Sequence, residues 1–198
     1  MSDAEERRSR AIAAFRAANA QDPNLVGVAG AQRPKELVDA ERLAAWIARL
    51  EPEPSEALAL AAHCQHLRRW ELPRESHEPG RIGYLTWRKA LARFHADRAA
   101  EILRGLGYDE ELWAEVRRIN LKQGLHTHPD VQVMEDALCL SFLEHELEEF
   151  ATRYESDKVV EIIRKTWGKM SERAHALALA LPLPSRSGSL VATALNAA

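Results

Sequence analysis

The apolar residues of this chain recur every three or four positions, the spacing that places them on one face of an α-helix. Loops rich in proline and glycine interrupt the pattern, so it predicts seven helices. Their predicted spans are 4–20, 34–50, 55–70, 84–106, 109–123, 130–154 and 156–181. No segment alternates apolar and polar residues long enough to indicate a strand. We therefore expect an all-α fold, a single compact bundle of about seven helices.

The chain length of 198 residues suits one domain of ordinary size with a substantial core. We expect that domain to occupy residues 1–181. The remaining segment, 182–198, is small, polar and broken by proline, a composition typical of a disordered tail.

The charge balance and the cysteine content restrict the partners and the compartment. The formal net charge is −3, so the chain has no overall positive charge that would attract nucleic acid, and we expect no nucleic-acid partner. Two cysteines within helical patterns, Cys64 and Cys139, do not make a disulfide framework, and we expect a reduced, cytoplasmic setting. The N-terminus lacks the apolar stretch of a signal peptide, and no membrane span is expected. A homodimer is compatible with these features.

Two short motifs imitate the ATP-binding signatures of class I aminoacyl-tRNA synthetases. They are HCQH at residues 63–66 and KMSER at residues 169–173. In those enzymes the first motif follows a strand and contains glycine, and the second is a mobile loop. Here both motifs fall in predicted helices, and no parallel sheet is expected to hold a nucleotide. We therefore reject the synthetase interpretation.

Two histidines and one acid are predicted to point inward from three different helices. His66 precedes Arg69 and Trp70 at helical spacing, and His95 aligns with an apolar stripe. Asp136 aligns with a leucine stripe, where an ionised carboxylate needs a partner. His66, His95 and Asp136 are thus candidate metal ligands, and Glu135 with Asp136 are candidate catalytic carboxylates. Alternatively, each histidine is an interior side chain bonded to a carbonyl group.

A second set of candidates is cationic and interleaved with aromatic residues. Arginine forks bind phosphate or carboxylate groups, so this set predicts a site for a small anionic molecule. Its members are Arg69, Arg74, Arg81, Arg88 and Lys122. In the alternative interpretation, the arginines stack on the aromatic residues and pair with Glu71, Glu75 and Glu78 to hold a long loop in place.

Several longer segments carry a family resemblance, among them QHLRRWELPR, GYLTWRKAL, FHADRAAEIL, VQVMEDALCLSFLEHE and IIRKTWGKMSERA. They resemble an uncharacterised family of the DUF4202 type, a domain of unknown function. Some of its members carry a glutamyl-tRNA synthetase label. The resemblance extends from about residue 10 to residue 180 and implies no established activity.

The chain also has a distant likeness to the helical HD-domain metal phosphohydrolases. Asp136 is similar to the late aspartate of that family, and His95 to an additional histidine of some members. The family's His-Asp pair is replaced by Gln65-His66, and its first histidine is absent. The likeness implies a partial site of His66, His95 and Asp136 for zinc, iron or manganese.

These observations leave two functional hypotheses. One is an HD-like, metal-dependent hydrolase or lyase acting on a small phosphorylated or nucleotide-like ligand, with a divalent metal as cofactor. The other is a non-enzymatic, degenerate HD-like module without a metal, which senses an anionic metabolite or docks a protein partner.

Overall fold

The structure, a computed structural model, describes residues 2–196. Over this span the chain forms ten α-helices, two short 3-10 helices and one two-stranded antiparallel hairpin. The mostly helical fold predicted from the sequence is confirmed. None of the described helices combines the length and the apolar character needed to cross a membrane. The chain divides into two compact units on either side of the Gly124–Leu125 bond, and each is described by itself.

The first unit contains the hairpin, five α-helices and both 3-10 helices. The strands are β1 (Leu25–Val28) and β2 (Ala31–Pro34). The helices are α1 (Asp3–Asn19), α2 (Lys35–Leu50), α3 (Glu56–Cys64), α4 (Gly80–Gly105) and α5 (Glu110–Asn120). The 3-10 helices span Arg69–Glu71 and Arg74–Ser76. Helix α3 packs against α1, α2 and α5, and α4 packs against α5. Leu58 and Leu60 of α3 are fully buried, so this short apolar helix lies in the core.

The hairpin corrects the expectation of a chain without strands. Ala29 and Gly30 connect β1 to β2, and both have a positive φ, 50° and 82°. A two-residue turn with two positive φ angles matches the twist of antiparallel strands and closes a hairpin. The strands have only four residues each, and none of these residues is buried. Alternation of apolar and polar residues therefore could not reveal them.

Helix α3 ends earlier than predicted. Ser55 caps its N-terminus by accepting a hydrogen bond from the Leu58 amide at 3.0 Å, as expected. The helix stops at Cys64 rather than continuing to Trp70, and Arg68 adopts a left-handed conformation with φ of 54°. His66 consequently lies on a turn after the helix. The inference that it shares a helix face with Arg69 and Trp70 was wrong.

The second unit contains five helices where the sequence predicted two. They are α6 (Pro129–His145), α7 (Leu147–Arg153), α8 (Ser156–Trp167), α9 (Glu172–Leu179) and α10 (Ser185–Asn196). The predicted helix over 130–154 breaks at Glu146, and the one over 156–181 breaks after Trp167. The KMSER motif spans that second break and was wrongly assigned to a continuous helix. Ser171 caps α9 by accepting a hydrogen bond from the Ala174 amide at 3.2 Å.

Residues 185–196, which we expected to be disordered, form helix α10, which packs against α8. Leu190, Val191 and Ala194 are buried on one side of it. The Arg164 guanidinium of α8 also donates to the Ala194 carbonyl oxygen at 3.1 Å. The apolar residues of this segment have helical spacing over only a few turns. Its many small and polar residues therefore led to the expectation of disorder. Residues 197 and 198 of the predicted tail lie outside the described residues.

Candidate functional site: a histidine–arginine pocket

A buried asparagine organises the turn that carries His66. Asn19, at the end of α1, donates from its side chain to the carbonyl oxygen of His63 at 3.2 Å. The amide of Arg68 donates to the Asn19 side-chain oxygen at 3.4 Å. These two bonds satisfy backbone groups that the end of α3 would otherwise leave without partners. Nothing in the local sequence pattern around Asn19 indicates a contact more than 40 residues away, so this residue was not predicted.

The turn borders a small cavity of about 130 Å³, which we call the histidine–arginine pocket. Seven polar or charged side chains line it, and three of them are cationic: Gln65, His66, Arg69, Arg88, His95, Asn120 and Lys122. Pockets for drug-sized ligands are larger, about 300–1,000 Å³. The volume therefore suits one small ionic group. Five of the predicted site residues in the first unit meet here: His66, His95, Arg69, Arg88 and Lys122.

His95 is fixed in one tautomer. Its Nδ1 lies 2.7 Å from the carbonyl oxygen of Leu67. A carbonyl oxygen can only accept a hydrogen bond, so Nδ1 carries the proton and Nε2 presents a lone pair. The ring is buried, and Nε2 has no hydrogen-bond partner among the described residues. Burial lowers the pKa of His95 to about 4, with a further lowering by Arg69, so this imidazole is neutral at pH 7.

His66 lies beside His95, with ring centroids 5.9 Å apart. Burial and the nearby cations Arg69, Lys122 and Lys35 lower the pKa of His66 well below its ordinary value. The ring still has access to solvent, since 36% of its side chain is exposed. Two neutral imidazoles therefore stand among the cationic side chains of the pocket.

A buried glutamate that the sequence analysis missed stands behind His66. Only 5% of the Glu36 side chain is exposed, and its Oε2 lies 3.8 Å from His66 Nδ1. Its Oε1 lies 3.8 Å from Arg69 Nε. Burial raises the pKa of Glu36 to about 7, against the opposing effects of Lys35 and Arg69. Glu36 opens α2, where a glutamate is commonplace, so the sequence offered no signal.

Asp22 sets the position of Glu36. The Asp22 carboxylate accepts the backbone amide of Glu36 at 3.0 Å and the backbone amide of Asn24 at 2.9 Å. Asp22 is itself buried. The start of α2 is thus anchored to the loop before the hairpin, and the Glu36 side chain is directed inward.

Two buried amide groups complete the lining of the pocket. Asn120 donates to the Cys64 sulfur at 3.3 Å, and Gln65 donates to the Asn120 carbonyl oxygen at 3.4 Å. These bonds connect the end of α3 to the end of α5. The side-chain oxygens of Gln65 and Asn120 have no hydrogen-bond partner among residues 2–196. With His95 Nε2, the pocket residues hold three buried acceptors that a ligand donor or water can satisfy.

Two of the predicted anion-binding arginines lie elsewhere. Arg74 donates to the carbonyl oxygens of His77 at 2.9 Å and Glu78 at 2.7 Å, so it holds its own loop together. Arg74 thus holds the loop through backbone carbonyl groups, whereas the alternative interpretation expected stacking on aromatic rings and pairing with glutamates. Arg81 is exposed near the start of α4 and does not line the pocket.

The two predicted catalytic carboxylates belong to the second unit. Asp136 is buried and accepts three hydrogen bonds, from the Ser171 amide at 2.8 Å, the Ser171 hydroxyl at 2.6 Å and Gln132 at 2.9 Å. Glu135 is also buried, and its Oε1 lies 3.4 Å from Lys169 Nζ. Within this unit both carboxylates hold the turn between α8 and α9. Among the described residues, no group of three His, Cys, Asp or Glu side chains is arranged to hold a metal ion.

The fold and the pocket define a mostly helical protein with a small, cation-lined site in its first unit. Residues 9–191 match the family described as a domain of unknown function, DUF4202. The chain therefore belongs to the DUF4202 family, and the resemblance expected from its sequence is confirmed. No curated protein and no solved structure matches the chain.

Proposed function

We propose that the first unit binds a small phosphorylated metabolite, with its phosphate group in the histidine–arginine pocket. The observation that carries this proposal is the convergence of Arg69, Arg88 and Lys122 on one cavity of about 130 Å³. Guanidinium and ammonium groups form charge-assisted hydrogen bonds with phosphate oxygens. This corresponds to the sensing hypothesis, in which cationic side chains hold the anion without a metal.

The buried acceptors of the pocket refine the expected ligand. Carboxylate-like anions and fully ionised phosphates only accept hydrogen bonds, so they would leave His95 Nε2 and the Asn120 oxygen without donors. A protonated phosphate oxygen, or a hydroxyl group beside the phosphate, supplies such donors. We therefore favour a phosphate monoester over a simple carboxylate.

A second candidate function is HD-like, metal-dependent hydrolysis of the same ligand. One observation favours it: His95 donates Nδ1–H to a backbone carbonyl, which is how many metal-binding histidines are oriented. In this candidate His66 and His95, both in the first unit, would bind zinc, iron or manganese. A bound metal would lower the pKa of a water molecule. Elemental analysis of the untagged protein tests it, since less than stoichiometric metal contradicts this candidate.

A thermal-shift screen tests the leading proposal. Inorganic phosphate, pyrophosphate and ribose 5-phosphate would each be added at several concentrations, with and without a chelator. We expect a concentration-dependent rise in Tm that persists in chelator, because binding to the folded state stabilises it. Turnover that the chelator abolishes would instead support the hydrolase.

Two arginines of the same helix provide matched variants. Arg88 lines the pocket, whereas Arg98 pairs with Glu101 at 2.8 Å on the surface of α4. We expect Arg88→Met to reduce the ligand-induced rise in Tm and Arg98→Met to retain it. An equal response in both variants, or no response in the native protein, would contradict the proposal.

A further inference from the structure

A second, larger cleft adjoins the histidine–arginine pocket. Its volume is about 460 Å³, within the range of sites for whole small molecules. Arg69 lines both cavities, so the two meet at this side chain. Trp70, Trp87 and Pro73 are among the residues that line it. We call it the tryptophan cleft.

The walls of the tryptophan cleft are held in place by the loop before α4. Trp87 Nε1 donates to the Leu72 carbonyl oxygen at 3.0 Å, which fixes the indole ring. The Arg69 guanidinium lies 5.4 Å from the centre of that ring, a cation–π arrangement. Flat, rigid aromatic walls suit a planar ring system better than a flexible chain.

Glu36 is the acidic side chain of this cleft, and its bonding is incomplete. Only 5% of its side chain is exposed. Its Oε2 atom nevertheless has no hydrogen-bond partner among the described residues. Leaving a buried acceptor unsatisfied is unfavourable, and more so for a charged group. A ligand that brings an N–H donor into the cleft would remove this penalty.

We propose that the tryptophan cleft binds a nucleobase whose exocyclic amino group donates a hydrogen bond to Glu36, while the attached phosphate occupies the histidine–arginine pocket. The ligand class is therefore an amino-bearing nucleotide. This inference rests on the proposed function, because it uses the same phosphate position. Glu36 is the specificity-determining residue, and the tryptophans form the stacking walls.

The charges around Glu36 agree with this assignment. Burial raises the pKa of Glu36 to about 7, Lys35 and Arg69 oppose that rise, and Asp22 and Asp39 add to it. His66 faces the same carboxylate at 3.8 Å.

Isothermal titration calorimetry at pH 8 tests the inference. The probes are AMP, GMP and CMP, each paired with a counterpart in which hydrogen replaces the amino group, and ribose 5-phosphate as the base-free reference. A hydrogen bond to a charged group contributes about 1.5–3 kcal/mol, so at least one amino nucleotide should bind about tenfold tighter than its counterpart. That nucleotide should also bind more tightly than ribose 5-phosphate.

Variants of Glu36 assign the preference to this carboxylate. Glu36→Leu removes the acceptor, and we expect the affinity ratio between amino nucleotide and counterpart to fall to about one. The readout is this ratio, because Glu36 also faces Arg69 and its loss can change the affinity for ribose 5-phosphate. Glu36→Gln keeps a neutral acceptor and should show an intermediate ratio. Glu53→Leu, at an exposed loop position, is the control and should keep the native ratio. Circular dichroism confirms that each variant is folded.

The outcomes separate this inference from the proposed function. If neither ribose 5-phosphate nor any nucleotide binds, both proposals are overturned. If ribose 5-phosphate binds but no amino nucleotide shows a preference, the base site is overturned and the phosphate site stands. A preference that survives Glu36→Leu also overturns the role of Glu36.

Discussion

His95 donates its Nδ1–H to the carbonyl oxygen of Leu67 across a distance of 2.7 Å. This single bond connects the middle of α4 to the turn after α3 and determines which ring nitrogen carries the proton. Because the turn also carries His66 and Arg69, the bond positions three side chains of the histidine–arginine pocket together. Stability and binding should therefore respond together when it is removed.

Replacing His95 with leucine should destabilise the protein. The substitution keeps most of the buried volume but leaves the Leu67 carbonyl oxygen without a donor, at a cost of about 1–3 kcal/mol. Urea unfolding at pH 7 measures the change. His77→Leu is the control, because the His77 ring contacts the exposed Ser76, and it should change stability by less than about 0.5 kcal/mol. Equal stability of His95→Leu and the native protein would be inconsistent with this account.

The depressed pKa of His95 predicts a loss of stability in acid. The unfolded chain binds the proton near pH 6.5, whereas the folded protein binds it only near pH 4. The part of the free energy of unfolding that depends on neutral His95 is thus fully present above pH 6.5. It is lost as the pH falls towards 4, and the loss is about 3 kcal/mol at most. Urea unfolding at several pH values measures the slope, which His95→Leu should reduce. An unchanged slope in that variant would show that other groups cause the acid sensitivity.

Glu36 should have the opposite pH dependence. Its pKa is about 7 in the folded protein and near 4.5 in the unfolded chain, so stability falls as the pH rises from 4.5 through 7. Glu36→Gln removes the ionisable group and should stabilise the protein at pH 8, by up to about 3 kcal/mol, with little effect at pH 4.5. Thermal unfolding of Glu36→Gln and of the native protein at pH 4.5 and pH 8 measures the difference in stability.

Glu41 provides a control on the same helix. Hydrogen bonds from Arg33 and Arg16 lower the pKa of Glu41, which is the reverse of the shift at Glu36. Glu41→Gln should therefore leave stability at pH 8 unchanged or slightly reduced. A stabilisation at pH 8 by both variants would indicate a general charge effect rather than the burial of Glu36.

In the second unit, Asp136 and Ser171 should act as one structural element. Ser171→Ala removes the cap of α9 and one donor to Asp136, at a cost of about 1–2 kcal/mol. Asp136→Asn places amide hydrogens against the Ser171 donors and should cost about 1–3 kcal/mol. The double variant should cost less than the two combined, because both remove the same bond. Ser189→Ala, at an exposed position of α10, is the control, and additive costs would refute the coupling.

The structural features that depend on the local spacing of residues could be predicted from the sequence. The helical class, the Ser55 cap and the inward direction of His95 all follow from periodicity and capping rules, and each agrees with the structure. The helix ends were harder to predict. The left-handed Arg68 ends the turn after α3, but arginine has no particular preference for that conformation.

The rest of the candidate site depends on contacts that are distant along the chain. Glu36 lies about 30 residues before His66, and Asn19 reaches the turn from α1. The inward stripe that includes Asp136 was recognised correctly, since Asp136 is buried. Its hydrogen-bond partner, Ser171, is 35 residues later and follows a helix break that the pattern did not reveal. Periodicity identifies a buried polar side chain, but it does not identify the partner.

The most direct test of the central proposal is a calorimetric titration of pyrophosphate into the native protein and into Arg88→Met and Arg98→Met, all in the presence of a chelator. We predict saturable binding in the native protein and in Arg98→Met, and an affinity about tenfold lower in Arg88→Met, because a charge-assisted hydrogen bond is lost. No binding by the native protein, or equal affinity in the two variants, would contradict a phosphate site in the histidine–arginine pocket.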